Sequence, residues 1–359
     1  MRASPYSSLL ASHSLLPSPQ SSLFTLHSFL HSTFYILHFT IPAMLFKILH
    51  RFFLLCCLVL LSGCVPDFTT PENSGLSEPQ LQETSFISYD GTDLPLRSWR
   101  PQGGAGPARS ILIAVHGFND YSNFIKNSAH YFNKHQIAVY AYDQRGFGNA
   151  PVKGKWGTTE AMAQDLKTLI RLIAQKHPDQ PIYLLGHSMG GAVVIQAMNG
   201  ENHPDVAGAI LVSPAVWARS TIPFYQNGGL WLVAHTIPWY RVTGEGLNRK
   251  PSNNIEMLKE QGRDPLVIKE TRYDTIYGLQ NLMDAAYASA DNYSLKTLVL
   301  YGNKDEVIPK EPVLDAFRRF PIDPADKKQL ILYENGYHML LRDLEAENVM
   351  KDIVEWLNE

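Results

Sequence analysis

The sequence predicts an α/β fold in which a mainly parallel sheet is flanked by helices on both faces. The first observation is that short, nearly continuous apolar runs recur from Ser85 onward, as in strands that are covered on both faces. The second is that helical patterns separate these runs, and alternation of strand and helix favours a parallel sheet. The predicted buried strands are residues 111–115, 137–142, 182–185, 209–212, 295–301 and 329–333.

Two helices and a hairpin complete this outline. The hairpin is predicted where residues 86–89 and 94–99 flank Asp90-Gly91, a pair of residues typical of tight turns. Apolar residues at helical spacing mark one helix near 162–173 and another near 349–357. Between Ser213 and about Asn292 the sequence shows no clear strand, although aromatic residues crowd its first half. This length is unusual for a plain loop, so residues 214–292 are predicted to have structure of their own, inserted between the core segments 85–213 and 293–359.

The first 64 residues differ from the rest of the chain. They contain no Asp or Glu, and all three cysteines are close together, at Cys56, Cys57 and Cys64. Residues 44–63 place Lys47 and Arg51 before an apolar run and a small-residue ending, which is the layout of a secretory signal. The ending Leu-Ser-Gly-Cys resembles the lipobox of bacterial lipoproteins, in which the cysteine receives lipid and begins the mature chain.

That resemblance implies a lipid-anchored protein of the bacterial cell envelope, and Val65 after the cysteine favours the outer membrane. Residues 64–84, rich in proline and polar residues, are predicted to be a tether. Residues 1–43 are interpreted as an over-extended start with Met44 as the initiator. A transit peptide is the alternative for residues 1–43, and a non-cleaved anchor with a chance cysteine is the alternative for the signal.

A candidate nucleophile lies where a strand meets a helix. Gly186-His187-Ser188-Met189-Gly190 matches the G-x-S-x-G elbow, follows the predicted strand 182–185, and precedes a helical run. The flanking glycines remove side chains that would collide in so sharp a turn, and Ser188 is left exposed above the sheet. A glycine-rich turn with an incidental serine is the alternative interpretation.

A serine hydroxyl needs a base, and the base needs a carboxylate that orients it. Asp305 follows the predicted strand 295–301, and His338 follows the last predicted strand, so the order is serine, acid, histidine. Asp143 is a minor rival for the acid and is expected to brace a turn. The oxyanion hole is expected from the backbone N–H groups of Met189, after the nucleophile, and Phe118, after the strand 111–115.

These motifs together resemble the monoacylglycerol lipase and lysophospholipase branch of the α/β-hydrolases, also called the serine aminopeptidase-like group. The resemblance covers about residues 85–359 and depends on His116-Gly117, the loop 143–148, the Ser188 elbow, Asp305 and Tyr337-His338. It implies an α/β-hydrolase fold in which residues 214–292 form a helical cap over the active site. This chain departs from the branch in two places: it has Asn119-Asp120 where a Glu often follows His-Gly, and its loop after Asp143 reads Gln144-Arg145, where lipases of the branch vary. The resemblance therefore implies a substrate class and no single substrate.

The expected activity is hydrolysis of an acyl ester or lipid, such as a monoacylglycerol or lysophospholipid, through an acyl-enzyme. Trp217, Trp231 and Trp239 of the cap are candidates for an acyl channel, with packing inside the cap as the alternative. Thioester or amide hydrolysis on the same triad, and a non-catalytic envelope binding protein, are the rival functions. No metal or dinucleotide motif is present, so no metal and no cofactor are expected. The 31 basic and 34 acidic side chains give no excess that would predict a nucleic-acid partner.

Overall fold

The computed structural model describes Leu45 and residues 47–52, 65–69, 78–101, 107–200, 202–246, 248–321 and 327–359. The chain divides into two compact units, Met1–Gly63 and Cys64–Glu359. In the first unit residues 47–52 are helical. The predicted start at residues 1–43, most of the predicted signal and the predicted lipidation site Cys64 lie outside the described residues. Among the residues that are described, no helix is both long and apolar enough to cross a membrane.

The described part of the second unit contains a nine-stranded sheet in the order β1-β2-β3-β5-β4-β6-β7-β10-β11. Strands β4, β5, β6, β7, β10 and β11 run parallel, whereas β1, β2 and β3 are added as antiparallel strands at one edge. The bounds are β1 Gln80–Leu81, β2 Ser85–Ile87, β3 Asp93–Trp99, β4 Ser110–Val115, β5 Ile137–Tyr142, β6 Ile182–His187, β7 Gly208–Val212, β10 Thr297–Gly302 and β11 Lys328–Tyr333. The predicted fold class is confirmed.

Helices cover both faces of this sheet because its central strands are apolar on both sides. In β4, Ile111 and Ile113 point into one apolar cluster, and Leu112 and Ala114 point into the other, as the period of two requires. The helices are α1 Lys126–Lys134, α2 Thr159–Lys176, α3 Met189–Ala197, α4 Phe224–Thr236, α5 Ile255–Arg263, α6 Tyr273–Ala288, α7 Lys310–Arg319 and α8 Ala346–Trp356. Residues of α2 and α3 belong to the first cluster, and residues of α1 and α8 to the second.

The inserted region between β7 and β10 contains α4, α5 and α6, and it also contains two strands. β8 Arg241–Thr243 and β9 Glu270–Arg272 pair antiparallel, so the expectation of no strand here is wrong. Each strand has only three residues, too few for an alternating pattern to be visible in the sequence. Leu282 and Ala286 of α6 are fully buried in the same cluster as α3, which joins the insertion to the core.

The described ends of the predicted tether, residues 64–84, contact the core. Gln80 and Leu81 form β1 against β2, and the Thr69 N–H donates to the Trp156 carbonyl at 2.8 Å. Asp67 forms an ion pair with Lys155 at 2.6 Å. Backbone hydrogen bonds and an ion pair do not require a pattern of apolar residues. These contacts could therefore not be predicted from a polar, proline-rich composition.

Candidate active site

Ser188 lies in the turn between β6 and α3 with an unusual backbone conformation. Its φ of 52° and ψ of −117° put a residue with a side chain in a region that costs about 1–3 kcal/mol. Hydrogen bonds hold it there: its N–H donates to Val212 at 2.9 Å, and its carbonyl accepts from Ala215 at 3.0 Å. Glycine is required beside it, since a Cβ at Gly190 would lie 2.1 Å from the Val115 carbonyl oxygen. The sharp turn is therefore built by backbone packing.

Asp305 and His338 are in contact across two loops that follow neighbouring strands. His338 Nδ1 donates to Asp305 Oδ2 at 2.8 Å, and Asp305 Oδ1 accepts from the N–H groups of Val307 at 2.7 Å and Ile308 at 3.0 Å. Burial alone would raise the pKa of Asp305, but His338 and the two amides more than offset this, so that the pKa lies below its ordinary value. Asp305 is thus an ionised acceptor that fixes a proton on His338 Nδ1 and leaves Nε2 available to accept one.

His187, the residue before the nucleophile, holds the backbone of His338. Its Nε2 donates to the His338 carbonyl at 3.1 Å, and its ring stacks on Phe124. Burial, together with nearby His338 and Arg342, lowers the pKa of His187 to about 3, so the ring is neutral. In the G-x-S-x-G motif the residue before the serine is unspecified, so the motif predicts no role for His187. One feature of the sequence could have indicated such a role. His187 comes directly before Ser188 at the end of a strand, where successive side chains point to opposite faces.

The two candidate oxyanion donors are the backbone N–H groups of Phe118 and Met189. Within the described part of the chain, neither N–H donates to a loop, a turn or a strand, and Met189, as the first residue of α3, has no acceptor within the helix. The Phe118 loop lies against the nucleophile, because a Cβ at Gly117 would be 3.3 Å from Ser188 Cβ. Met189 begins α3, where the helix dipole favours negative charge. Both amides remain available to a developing oxyanion.

The loop that carries Phe118 is held on two sides. On the core side, the Gln144 N–H donates to His116 Nε2 at 3.0 Å, and the Gln144 side chain donates to the His116 carbonyl at 2.8 Å. On the cap side, the Asn119 carbonyl accepts from Ile268 at 3.0 Å, and Asn119 Nδ2 donates to Thr271 at 2.8 Å. The position of Phe118 therefore depends on both regions.

The rival acid Asp143 contacts backbone amides. Its Oδ1 accepts from the Ser122 N–H at 2.9 Å and its Oδ2 from the Asn149 N–H at 2.8 Å. Both oxygens brace turns of the core. Asp305 is therefore the carboxylate that the structure brings to His338.

The three tryptophans proposed for substrate binding lie in different surroundings. Trp217 is partly buried and packs against the core cluster, with the Arg249 guanidinium 5.9 Å from its ring. Trp231 is 50% exposed and Trp239 is 54% exposed. Trp231 stacks on His235 at 4.5 Å. The last two tryptophans do not fill the interior of the cap, and their contact with substrate stays a prediction.

The fold is a parallel sheet covered by helices. A strained serine lies between β6 and α3, and a buried aspartate–histidine pair lies on the loops after later strands. These features together define an α/β-hydrolase. The family model described as serine aminopeptidase, S33, matches residues 106–345. The chain belongs to this family.

Known proteins resemble this chain over most of their length. A monoglyceride lipase of Rattus norvegicus is 24% identical over 303 residues, which cover 82% of this chain and 96% of the relative. A monoacylglycerol lipase of Mycolicibacterium smegmatis is 26% identical over 286 residues, covering 77% and 96%. The solved structure of a soluble variant of monoglyceride lipase from Saccharomyces cerevisiae, in complex with a substrate analog, aligns with a TM-score of 0.64. It is 18% identical and covers 81% of this chain and 98% of that one, so it establishes the fold.

Proposed function

We propose that this protein is a serine hydrolase that cleaves carboxylic esters of acyl lipids, of the monoacylglycerol or lysophospholipid class. The observation that carries the proposal is the contact between His338 and Asp305 in a chain that also places Ser188 on a strained turn after a central strand. A solvated acid and a surface histidine would have no reason to be paired and buried, whereas the side chain of His338 is 5% exposed and that of Asp305 is 0% exposed.

The reaction follows from the atoms available. Ser188 Oγ attacks the ester carbonyl carbon while His338 Nε2 takes its proton, and Asp305 stabilises the imidazolium that forms. The amides of Phe118 and Met189 donate to the oxyanion. His338 then gives the proton to the leaving alcohol, and an acyl-enzyme remains on Ser188. Water, deprotonated by His338, attacks the acyl carbon and releases the carboxylic acid, which regenerates the serine.

The proposed substrate class rests on the relatives and on the cap. Monoglyceride and monoacylglycerol lipases match at least three quarters of this chain. Exposed aromatic rings of the cap offer surface to an apolar acyl chain. The family description, serine aminopeptidase, favours amide hydrolysis as the second candidate on the same residues.

A substrate panel tests the proposal. The full protein is assayed against monoacylglycerols and lysophospholipids of graded chain length, diacylglycerols and aminoacyl anilides, with Ser188→Ala as the background. We expect turnover of a single-chain ester at least tenfold above that of the diacylglycerols and anilides. Turnover of anilides without turnover of esters would replace this proposal by the amidase.

We further propose that Cys64 is lipidated and anchors the enzyme in the bacterial cell envelope, at the outer membrane. The support is the order of basic, apolar and small residues before Cys64 in the sequence. Acyl chains would supply the anchoring at about 0.8 kcal/mol per buried CH₂. Peptide mapping of membrane-extracted protein should find a chain that begins at acylated Cys64, and Cys64→Ser should remain unprocessed. Peptides from residues 1–43 in the native protein would contradict this start.

A further inference from the structure

A segment of the cap between β8 and α5, residues 249–254, contacts the loops of both His338 and Asp305. We name this segment the strap. We propose that Ser252 of the strap, together with Asp343, positions the general base His338. The cap would then contribute to catalysis by holding the base in place. This inference rests on the proposed function and deepens it by naming residues that act through His338.

The link from the strap to His338 passes through one buried carboxylate. Asp343 Oδ2 accepts from the N–H of Tyr337, the residue before His338, at 2.7 Å. Asp343 Oδ1 accepts from Ser252 Oγ at 2.5 Å. Ser252 is fully buried and Asp343 is 6% exposed, so water does not readily replace the serine hydroxyl. Loss of that hydroxyl would leave a buried carboxylate oxygen without its donor. This would destabilise the native arrangement and favour a shift of the Asp343 side chain.

The backbone of the strap holds the other side of the same histidine. The N–H of Met339, the residue after His338, donates to the Pro251 carbonyl at 3.0 Å. Further along the loop, Asn254 Nδ2 donates to the Arg342 carbonyl at 3.0 Å. The amides before and after His338 are therefore both fixed, one through Asp343 and one by the strap directly.

The strap also reaches the loop of the acid. The Lys250 N–H donates to Glu306 Oε2 at 2.7 Å, and the Arg249 guanidinium donates to the Glu306 carbonyl. Glu306 follows Asp305 directly. One short segment of the cap thus contacts both the loop of the acid and the loop of the base.

Such fixing matters because proton transfer is sensitive to position, and a displacement of about 1 Å can cost about 100-fold in rate. Ser252 is 91 residues from Asp343 in sequence, and its hydroxyl bonds only to Asp343 and the Asn254 N–H among the described residues. Removal of the Ser252 hydroxyl should therefore lower the kcat of each active site. Binding of substrate should change little.

The experiment compares Ser252→Ala with Ser110→Ala in the full protein. Ser110 is also buried, lies at the start of β4, and its hydroxyl has no hydrogen-bond partner among the described residues. A fluorophosphonate titration first counts the active sites in each preparation. The kcat and KM for a short p-nitrophenyl ester are then expressed per titrated site. A merely structural role would lower the number of sites and leave the rate of each site unchanged.

We expect Ser252→Ala to lower kcat per site by about tenfold or more with KM within about twofold, and Ser110→Ala to match the wild type. Asp343→Asn, which keeps the size of the side chain, repeats the measurement from the other partner. Wild-type kcat per site in both Ser252→Ala and Asp343→Asn would overturn the inference. A wild-type protein that neither labels nor hydrolyses esters would instead overturn the proposed function.

Discussion

The core and the cap use their aromatic side chains differently. In the core, Trp156 and Trp356 are buried to within 2% of their surface, and they fill the two apolar clusters. In the cap, Phe224 is 86% exposed, and Trp231 and Trp239 are about half exposed. Large exposed apolar groups that lie close together mark contact with other molecules. We therefore expect the core to determine which reaction occurs, and the exposed aromatic part of the cap to select the substrate.

The strap is a part of the cap that contacts the catalytic loops of the core. Residues 249–254 belong to the cap by position, but Ser252 and the Pro251 carbonyl hold the loop of His338. The cap therefore has two parts, a buried one that supports the catalytic loops and an aromatic one that faces outward.

The largest predicted effect concerns the acid of the core. Asp305→Asn should lower kcat by about 10⁴-fold, because an amide no longer fixes the imidazole tautomer that accepts the serine proton. Asp143→Asn and Glu306→Gln should lose far less, since Asp143 accepts from two turn amides and Glu306 contacts the strap. Steady-state kinetics of the three variants, with thermal unfolding as the control, make the comparison. A greater loss in a stable Asp143→Asn would reassign the acid.

The second prediction concerns the buried histidine of the core, through the dependence of stability on pH. The folded pKa of His187 is about 3, below the ordinary 6.5 of the unfolded chain. Between pH 3 and pH 6.5 the imidazole is protonated in the unfolded state and neutral in the folded state. The contribution of His187 to the free energy of unfolding is therefore fully present above pH 6.5 and is lost as the pH falls. Between pH 8 and pH 5 the loss from His187 is about 2 kcal/mol.

His187→Gln removes this contribution and keeps a donor for the His338 carbonyl. Urea unfolding at pH 8 and pH 5 should show the free energy of unfolding falling by about 2 kcal/mol less in the variant than in the wild type. An equal fall in both proteins would mean that His187 is not held neutral in the folded state.

The smallest predicted effects lie in the outward part of the cap. Trp231→Ala and Trp239→Ala, made singly, should change the chain-length preference several-fold while hydrolysis of short esters remains, because rings that line an acyl channel would contact long acyl chains and not short ones. Initial rates on esters with graded chains test this, and stability should change little. An unchanged chain-length profile in both variants would leave these rings without a role in selecting substrate.

The sequence predicted those features that local patterns encode. Apolar runs predicted the strands, and the glycines around Ser188 predicted the turn, because a side chain at Gly190 would collide with β4. The strand before the turn was predicted to end at residue 185, but β6 extends to His187. Gly186 and His187 also pair with β7, and this pairing between distant segments is invisible in a glycine motif.

Features that depend on contacts between distant residues could not be predicted. The bond from Ser252 to Asp343 joins residue types that are common in loops, and no spacing marks them as partners. The same holds for His187 and the His338 carbonyl, which are 151 residues apart. Only the folded chain shows that these side chains meet.

The assignment of Ser188 as the nucleophile is tested most directly by mapping a covalent adduct. The wild-type protein is reacted with a fluorophosphonate and digested, and the modified peptide is sequenced by mass spectrometry beside Ser188→Ala. We expect a single adduct on Ser188 in the wild type and none in the variant, with ester turnover lowered by at least about 10³-fold. Undiminished labelling of folded Ser188→Ala, or an adduct on another residue of the wild type, would contradict the account.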